Sequence, residues 1–159
     1  MQQEYTASDF RRILQELFPH RRLVLSQFTF FNHSGVAKPT GMTFRRGRRC
    51  YRLEDILSVA CVLALKEEGI PLKNIESVPK LVQENASDIL ASDGWTLSGY
   101  GNVIGLQTPF NKQSDAIDAF LAETGETRLF WSFDVSALSK QVKAIVEGTS
   151  AQQLQRRAA

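Results

Sequence analysis

Apolar positions in the first part of the chain fall into groups with different spacing. Phe10, Ile13, Leu14 and Leu17 recur three and four apart, behind the capping-type residues Thr6-Ala7-Ser8-Asp9 and ahead of Pro19, which predicts a helix over residues 7–18. The next apolar run, Leu23 to Phe31, mixes β-branched and aromatic residues, so propensity leaves helix and strand competing. Gly35, after Asn32-His33-Ser34, suits the position just past a helix end and favours helix. Lys38-Pro39-Thr40-Gly41 reads as a turn. Met42-Thr43-Phe44 and Cys50-Tyr51-Arg52 then read as two short strands flanking Arg45-Arg46-Gly47-Arg48-Arg49.

Leu53 to Glu68 carries Ile56, Val59, Ala60, Leu63 and Ala64 on one helical face, with Gly69 ending the helix and Pro71 opening the next element. From Pro71 to about Gln83, Leu72, Ile75, Val78, Leu81 and Val82 keep helical register, and Pro79 is expected to bend or interrupt it. Glu84-Asn85-Ala86-Ser87-Asp88 reads as a break into turn-formers. Beyond Gly94 the pattern changes: 95–100 and 103–108 are predicted strands around Gly101-Asn102, a credible hairpin turn. Ser114 to Glu123 reads as a helix, Thr127 to Val135 as an alternating strand and Ser136 to Glu147 as a helix. Gly99, Gly101 and Gly105 fit a tight or bulged hairpin. The fold class expected is α+β: a helix-helix-hairpin-helix-helix domain over 1–85, a small β-β-α-β-α domain over 86–149 and a tail, 150–159, expected to be partly disordered.

Charge sharpens this division. Residues 1–52 hold ten Lys/Arg against three Asp/Glu, a balance of +7, whereas the other 107 residues hold nine against fourteen, a balance of −5. A basic half concentrates polyanions and an acidic half repels them, so the N-terminal half is expected to face nucleic acid. Two cysteines, Cys50 and Cys61, with no CxxC pair or histidine cluster, suggest neither a disulfide framework nor a metal site. The opening MQQEYTASDF lacks the apolar run of a signal peptide, and no stretch reaches about 18 uninterrupted apolar residues, so the expectation is a soluble, cytoplasmic chain without a membrane partner.

A helix-turn-helix followed by an arginine-tipped hairpin has the form of a winged helix, in which one helix enters the major groove and the wing reaches backbone or minor groove. Phe30-Phe31-Asn32-His33-Ser34-Gly35-Val36-Ala37-Lys38-Pro39 resembles the tyrosine-tyrosine, glycine-leucine and proline stretch of the MerR family of bacterial regulators. Tyr51-Arg52-Leu53-Glu54-Asp55-Ile56 is similar to that family's wing exit and following helix start, and Glu67-Glu68-Gly69-Ile70-Pro71-Leu72-Lys73-Asn74-Ile75 to its next helix junction. The resemblance spans about residues 5–83. It implies a recognition helix exposing Ser26, Gln27 and Thr29, with Asn32 near its end, Phe28 and Phe31 packed inward, and Phe30 against a sugar-phosphate strand. It further implies phosphate contacts from Arg21 and Arg22 and a wing of Arg45, Arg46, Arg48, Arg49 and Arg52.

The chain departs from the family where Thr29 replaces a usual arginine and Cys50 a usual glycine, and it lacks the long dimerisation helix after the DNA-binding domain. In overall shape it resembles the small MerR-type repressors that accompany mobile elements, including CRISPR-associated transposons. A dimer interface is therefore expected in the C-terminal unit, whose Trp95, Tyr100, Phe130, Trp131 and Phe133 exceed the needs of a minimal core. No phosphate loop, nucleophile elbow or HExxH occurs, and Asp9, Glu54 and Asp55 occupy helix starts, so no catalytic residue, metal or cofactor is expected. The function expected is a homodimeric, sequence-specific regulator of transcription on an inverted-repeat site in double-stranded DNA. Repression is favoured because it needs no effector switch, and whether a small-molecule effector exists is open. The alternative is a protein-interaction adaptor or recombination accessory factor built on the same domain.

Overall fold

The computed structural model describes residues 4–36, 50–100, 103–107 and 130–158. Over these residues the chain is mixed helix and sheet, with five α-helices and two small antiparallel sheets. The Lys38–Gly41 turn, the strand Met42–Phe44, the arginine tip 45–49 and the helix Ser114–Glu123 lie outside the described residues.

Helix α1 (Ala7–Leu17) begins where its sequence said it should. The Thr6 hydroxyl accepts from the Asp9 backbone N–H at 3.2 Å, and an Asp9 carboxylate oxygen accepts from the Thr6 backbone N–H at 3.2 Å. Two backbone donors that the helix cannot satisfy internally are thereby paired. Phe10, Ile13 and Leu14 form its buried face. Helix α2 (Leu25–His33) resolves the competition over residues 23–31 in favour of helix, and Gly35 follows it with φ +75°, a conformation glycine adopts without a Cβ clash. Before α1, Tyr5–Thr6 forms a two-residue strand, β1, which no pattern in the sequence announces. It pairs antiparallel with β2 (Cys50–Tyr51), Tyr5 opposite Tyr51 and Thr6 opposite Cys50. The Tyr51 ring also packs on Phe10, with centroids 4.7 Å apart.

Helix α3 (Leu53–Glu67) is buried nearly all round rather than on one face, a correction to its amphipathic reading. Leu57, Cys61, Val62 and Leu65, which the periodic pattern leaves off the core face, are as inaccessible as Ile56, Val59 and Leu63. The physical reason is that helices pack on several sides of α3, among them α1, α4 (Val78–Ala91) and α5 (Val135–Ala158). At its end, the Ile70 N–H donates to Leu65 O and the Gly69 N–H to Lys66 O, with Gly69 at φ +80°. This is the paired closure that a glycine just past a helix permits.

Pro79 neither bends nor interrupts a helix: it lies in the first turn of α4, where its missing N–H has no intrahelical partner to lose. A short 3-10 turn, Leu72–Asn74, precedes it. Helix α4 also continues through Glu84-Asn85-Ala86-Ser87-Asp88, which corrects the expected break. Val82, Ala86 and Ile89 carry its buried stripe across that stretch and anchor it. The boundary placed after residue 85 thus falls inside α4. One hydrophobic core runs from Phe10 and Ile13, through α3 and α4, to Trp95, Leu97, Trp131, Leu138 and Val142.

In the second sheet β3 (Thr96–Tyr100) is central, flanked by β4 (Val103–Gln107) and β5 (Phe130–Asp134). Tyr100 pairs with Val103, and the Gly101-Asn102 turn expected between them lies outside the described residues. Pairing is continuous from Thr96 to Tyr100 on both sides, so no bulge accounts for Gly99. Gly99 instead makes room for the Trp131 indole: a Cβ there would lie 2.1 Å from Trp131 Cε2. Leu97, Leu106, Phe133, Ile104 and Trp131 share the apolar face of this sheet, since residues opposite one another in antiparallel pairs point the same way. Asp134 caps α5 by accepting from the Ala137 N–H at 2.9 Å, and Ser136 Oγ accepts from the Trp95 N–H at 2.8 Å. The helix runs on to Ala158, so the backbone of the tail is helical to that point rather than disordered, in keeping with its glutamine-, alanine- and arginine-rich sequence.

Candidate nucleic-acid interface

The turn between α1 and α2 is braced from two directions. Gln15, in the last turn of α1, donates its amide to the carbonyls of Phe18 (3.1 Å) and Arg21, while its Oε1 accepts from the Leu23 N–H at 3.2 Å. From the far end of α3, Glu67 Oε1 takes hydrogen bonds from Arg21 Nε at 2.6 Å and His20 Nε2 at 2.8 Å. At the other end of α2, Asn32 Nδ2 donates to the Tyr51 hydroxyl at 3.1 Å. Phe31 is buried beneath the helix, and so are Leu23 before it and Val36 after it. Helix α2 is therefore held at its entry, its underside and its exit, and its outer face is left free.

That outer face carries Ser26, Gln27, Thr29 and His33, all exposed, with exposed Arg22 just ahead of it. Ser26 and Thr29 stand one turn apart, and His33 follows one turn later. Hydroxyls and a carboxamide in such a row supply both donors and acceptors for polar edges. Gln27 has one commitment already, since its Oε1 accepts from the Val24 N–H at 3.1 Å at the helix start. His33 Nδ1 lies 2.7 Å from the Thr29 carbonyl.

The other expected contact residues divide. Arg21 is 28% exposed and engaged by Glu67, so its guanidinium serves the turn before it serves any phosphate. Asn32 is half-buried and committed to Tyr51, and its Oδ1 is buried without a partner. Arg52 is half-buried at the start of α3, where its backbone N–H donates to the buried Asp55 carboxylate at 2.8 Å. The side chains of Phe28 and Phe30 and all of Arg45, Arg46, Arg48 and Arg49 lie outside the described residues. No protein-family model and no curated protein matches the chain.

Of the aromatic residues expected at a dimer interface, Trp95 and Trp131 belong to the chain's own core, each 8% exposed. The Trp95 indole N–H donates to Ser92 Oγ at 2.9 Å, and Trp131 covers Gly99. Phe133 is half-buried on the same apolar face, and the side chains of Tyr100 and Phe130 are outside the description. Both cysteines are buried and neither forms a disulfide among the described residues; burial pushes the Cys61 thiol up, far from a reactive thiolate. Among the described residues no group of three His, Cys, Asp or Glu could hold a metal, and no helix is long and apolar enough to cross a membrane.

Sequence reading missed Gln15, Glu67 and Tyr51 as the residues that set the pose of α2. Glu67 was visible only as part of a helix end, 46 residues from Arg21. Partial burial pushes the Glu67 carboxyl up, but hydrogen bonds from Arg21 and His20, together with their charge, outweigh it and hold it below the ordinary glutamate value. A folded-state value below the unfolded one stabilises the fold above the ordinary glutamate range, and the gain disappears as pH falls through the lowered value. Denaturant unfolding of the chain and of Glu67→Gln should accordingly differ most at neutral pH and converge in acid; a constant difference between pH 7 and pH 3 would count against the brace.

Proposed function

We propose that this chain is a sequence-specific DNA-binding regulator of transcription, built on a winged helix-turn-helix of the MerR type and acting in the cytoplasm. The observation that carries the reading is the braced helix α2 with its free polar face of Ser26, Gln27 and Thr29. A recognition helix needs a fixed pose, because hydrogen bonds to base edges discriminate only when donors and acceptors arrive in register. Arg22 and the wing arginines Arg45, Arg46, Arg48 and Arg49 supply phosphate contacts, in keeping with the +7 balance of residues 1–52. Helix α3 leaves the wing, and α1 supports α2 from behind. The protein has no catalytic role and needs no cofactor in this reading.

The regulator binds as a homodimer to an inverted repeat and represses by occupying its site. Tyr100, Val103 and Phe130 share a register position at one end of the three-stranded sheet, and Tyr100 and Phe130 are the residues we assign to meet a second copy. Trp95 and Trp131 leave the proposed interface, because the core already uses them.

Fluorescence anisotropy on the DNA upstream of its own gene, at several salt concentrations, tests the reading. Affinity should fall with salt at about 0.9 log units per log unit for each phosphate contact, and Arg45, Arg46, Arg48 and Arg49 changed together to alanine should remove up to about four contacts' worth of slope. Gln27→Ala and Thr29→Ala should leave the slope alone and relax sequence preference by about 1–3 kcal/mol per lost base contact. An unchanged slope in the fourfold variant excludes the wing. Binding that ignores sequence in every variant excludes the recognition helix.

A further inference from the structure

Between β1, the start of α3, the end of α4 and the middle of α5 lies a cleft of about 350 Å³, within the size range of small-molecule sites. One wall is aliphatic, formed by Leu53, Leu90 and Val146. Around it stand two cations, Arg52 and Lys143, and two carboxylates, Glu54 and Glu147. None of these four is ion-paired with another among the described residues. Lys143 Nζ donates to the Leu90 carbonyl, one of the last-turn acceptors that α4 cannot satisfy, which fixes the ammonium at the cleft and leaves two of its N–H donors.

The balance of charges restricts the ligand. A simple carboxylate would meet Arg52 and Lys143 but face Glu54 and Glu147 across a small cleft, and a simple amine would meet the reverse. Closing either kind of ligand over an unmatched charge costs desolvation without compensation. A molecule carrying both charges on one carbon, with an aliphatic branch, satisfies both pairs and the apolar wall together. We propose that this cleft binds a free aliphatic α-amino acid. Its carboxylate is held by Arg52 and Lys143, its ammonium by Glu54 and Glu147, and its side chain by Leu53, Leu90 and Val146. The Tyr5 phenol adds a donor: burial first, then the nearby Asp9 and Glu54 charges, push its pKa up and keep it protonated. The site stands whether or not the chain binds DNA, since none of its geometry depends on that reading.

Titration of the isotopically labelled full chain with L-leucine, followed by amide chemical shifts, tests the site directly and without DNA. Saturable shifts are expected at residues 52–54, 90 and 143–147. The probes 4-methylpentanoate, which lacks the ammonium, and 3-methylbutylamine, which lacks the carboxylate, should each bind about tenfold more weakly or worse. Glu147→Gln, an exposed and nearly isosteric change, should weaken leucine binding by about tenfold, as should Lys143→Gln. Three results overturn the proposal: no saturable shift with millimolar leucine, equal affinity for leucine and 4-methylpentanoate, or leucine affinity unchanged in Glu147→Gln.

Discussion

Replacing Gly99 by alanine is expected to lower the free energy of unfolding by about 2–3 kcal/mol, large for the addition of one methyl group. The new Cβ would lie 2.1 Å from Trp131 Cε2 and 2.3 Å from Cζ2, well inside contact distance. The indole cannot simply swing away, because it is buried against the core on the apolar face of the central strand. Trp131→Ala should itself cost about 3–5 kcal/mol by emptying that space. The discriminating measurement is the double variant. If the two residues oppose each other as described, alanine at 99 is tolerated once the indole has gone, so the pair should cost less than the sum by about 1–2 kcal/mol. Additive losses in denaturant unfolding would mean that Gly99 is glycine for another reason.

Leu57→Ala and Leu65→Ala should each cost about 2–5 kcal/mol, as much as Leu63→Ala. On a helix with one buried face, Leu57 would lie at the edge of that face and Leu65 opposite it, and truncating Leu65 would change stability by about 0.5 kcal/mol or less. In this fold all three are at most 2% exposed, so the distinction between on-face and off-face residues should vanish. Thermal or denaturant midpoints of the three variants, taken side by side, decide the matter. A small loss at Leu65 beside a large one at Leu63 would restore the single-faced helix.

These two predictions also mark where the sequence was readable and where it was not. Local signals were reliable: the Thr6 and Asp9 cap, the glycines after α2 and α3, and the ends of β3 and β4 at Tyr100 and Val103 all act over a few residues. The all-round burial of α3 was not readable, because periodicity reports the strongest face of a helix and cannot say how many neighbours will arrive. The run through α4 could have been read, since Val82, Ala86 and Ile89 keep the helical spacing across residues that look like turn-formers one at a time. Strand β1 could not, being two residues long and dependent on partners 44 and 46 positions away.

The candidate site divides in the same way. The resemblance to the MerR family implied Ser26, Gln27 and Thr29 as an outer face, and they are exposed. Nothing local could distinguish Arg22, which is free to meet a partner, from Arg21, which Glu67 holds, because the deciding carboxylate sits at the end of another helix. Nor could anything local show that the Asn32 amide donates to the Tyr51 hydroxyl, 19 positions away. Surplus aromatic residues suggested an interface, but tryptophan serves equally well inside, and Trp95 and Trp131 went there.

The packing of α5 on α1 and α3 sets an order of events during synthesis. Residues 53–67 leave the ribosome carrying apolar groups on every side, well before Val135, Leu138, Val142 and Val146, which close the same core. At about 5–20 residues per second the interval lasts several seconds. For that time the nascent N-terminal half displays an unfinished surface that chaperones and misfolded neighbours can both recognise. Helix α5 ends that exposure, and the core opened by α3 is closed by a segment made much later on the same chain.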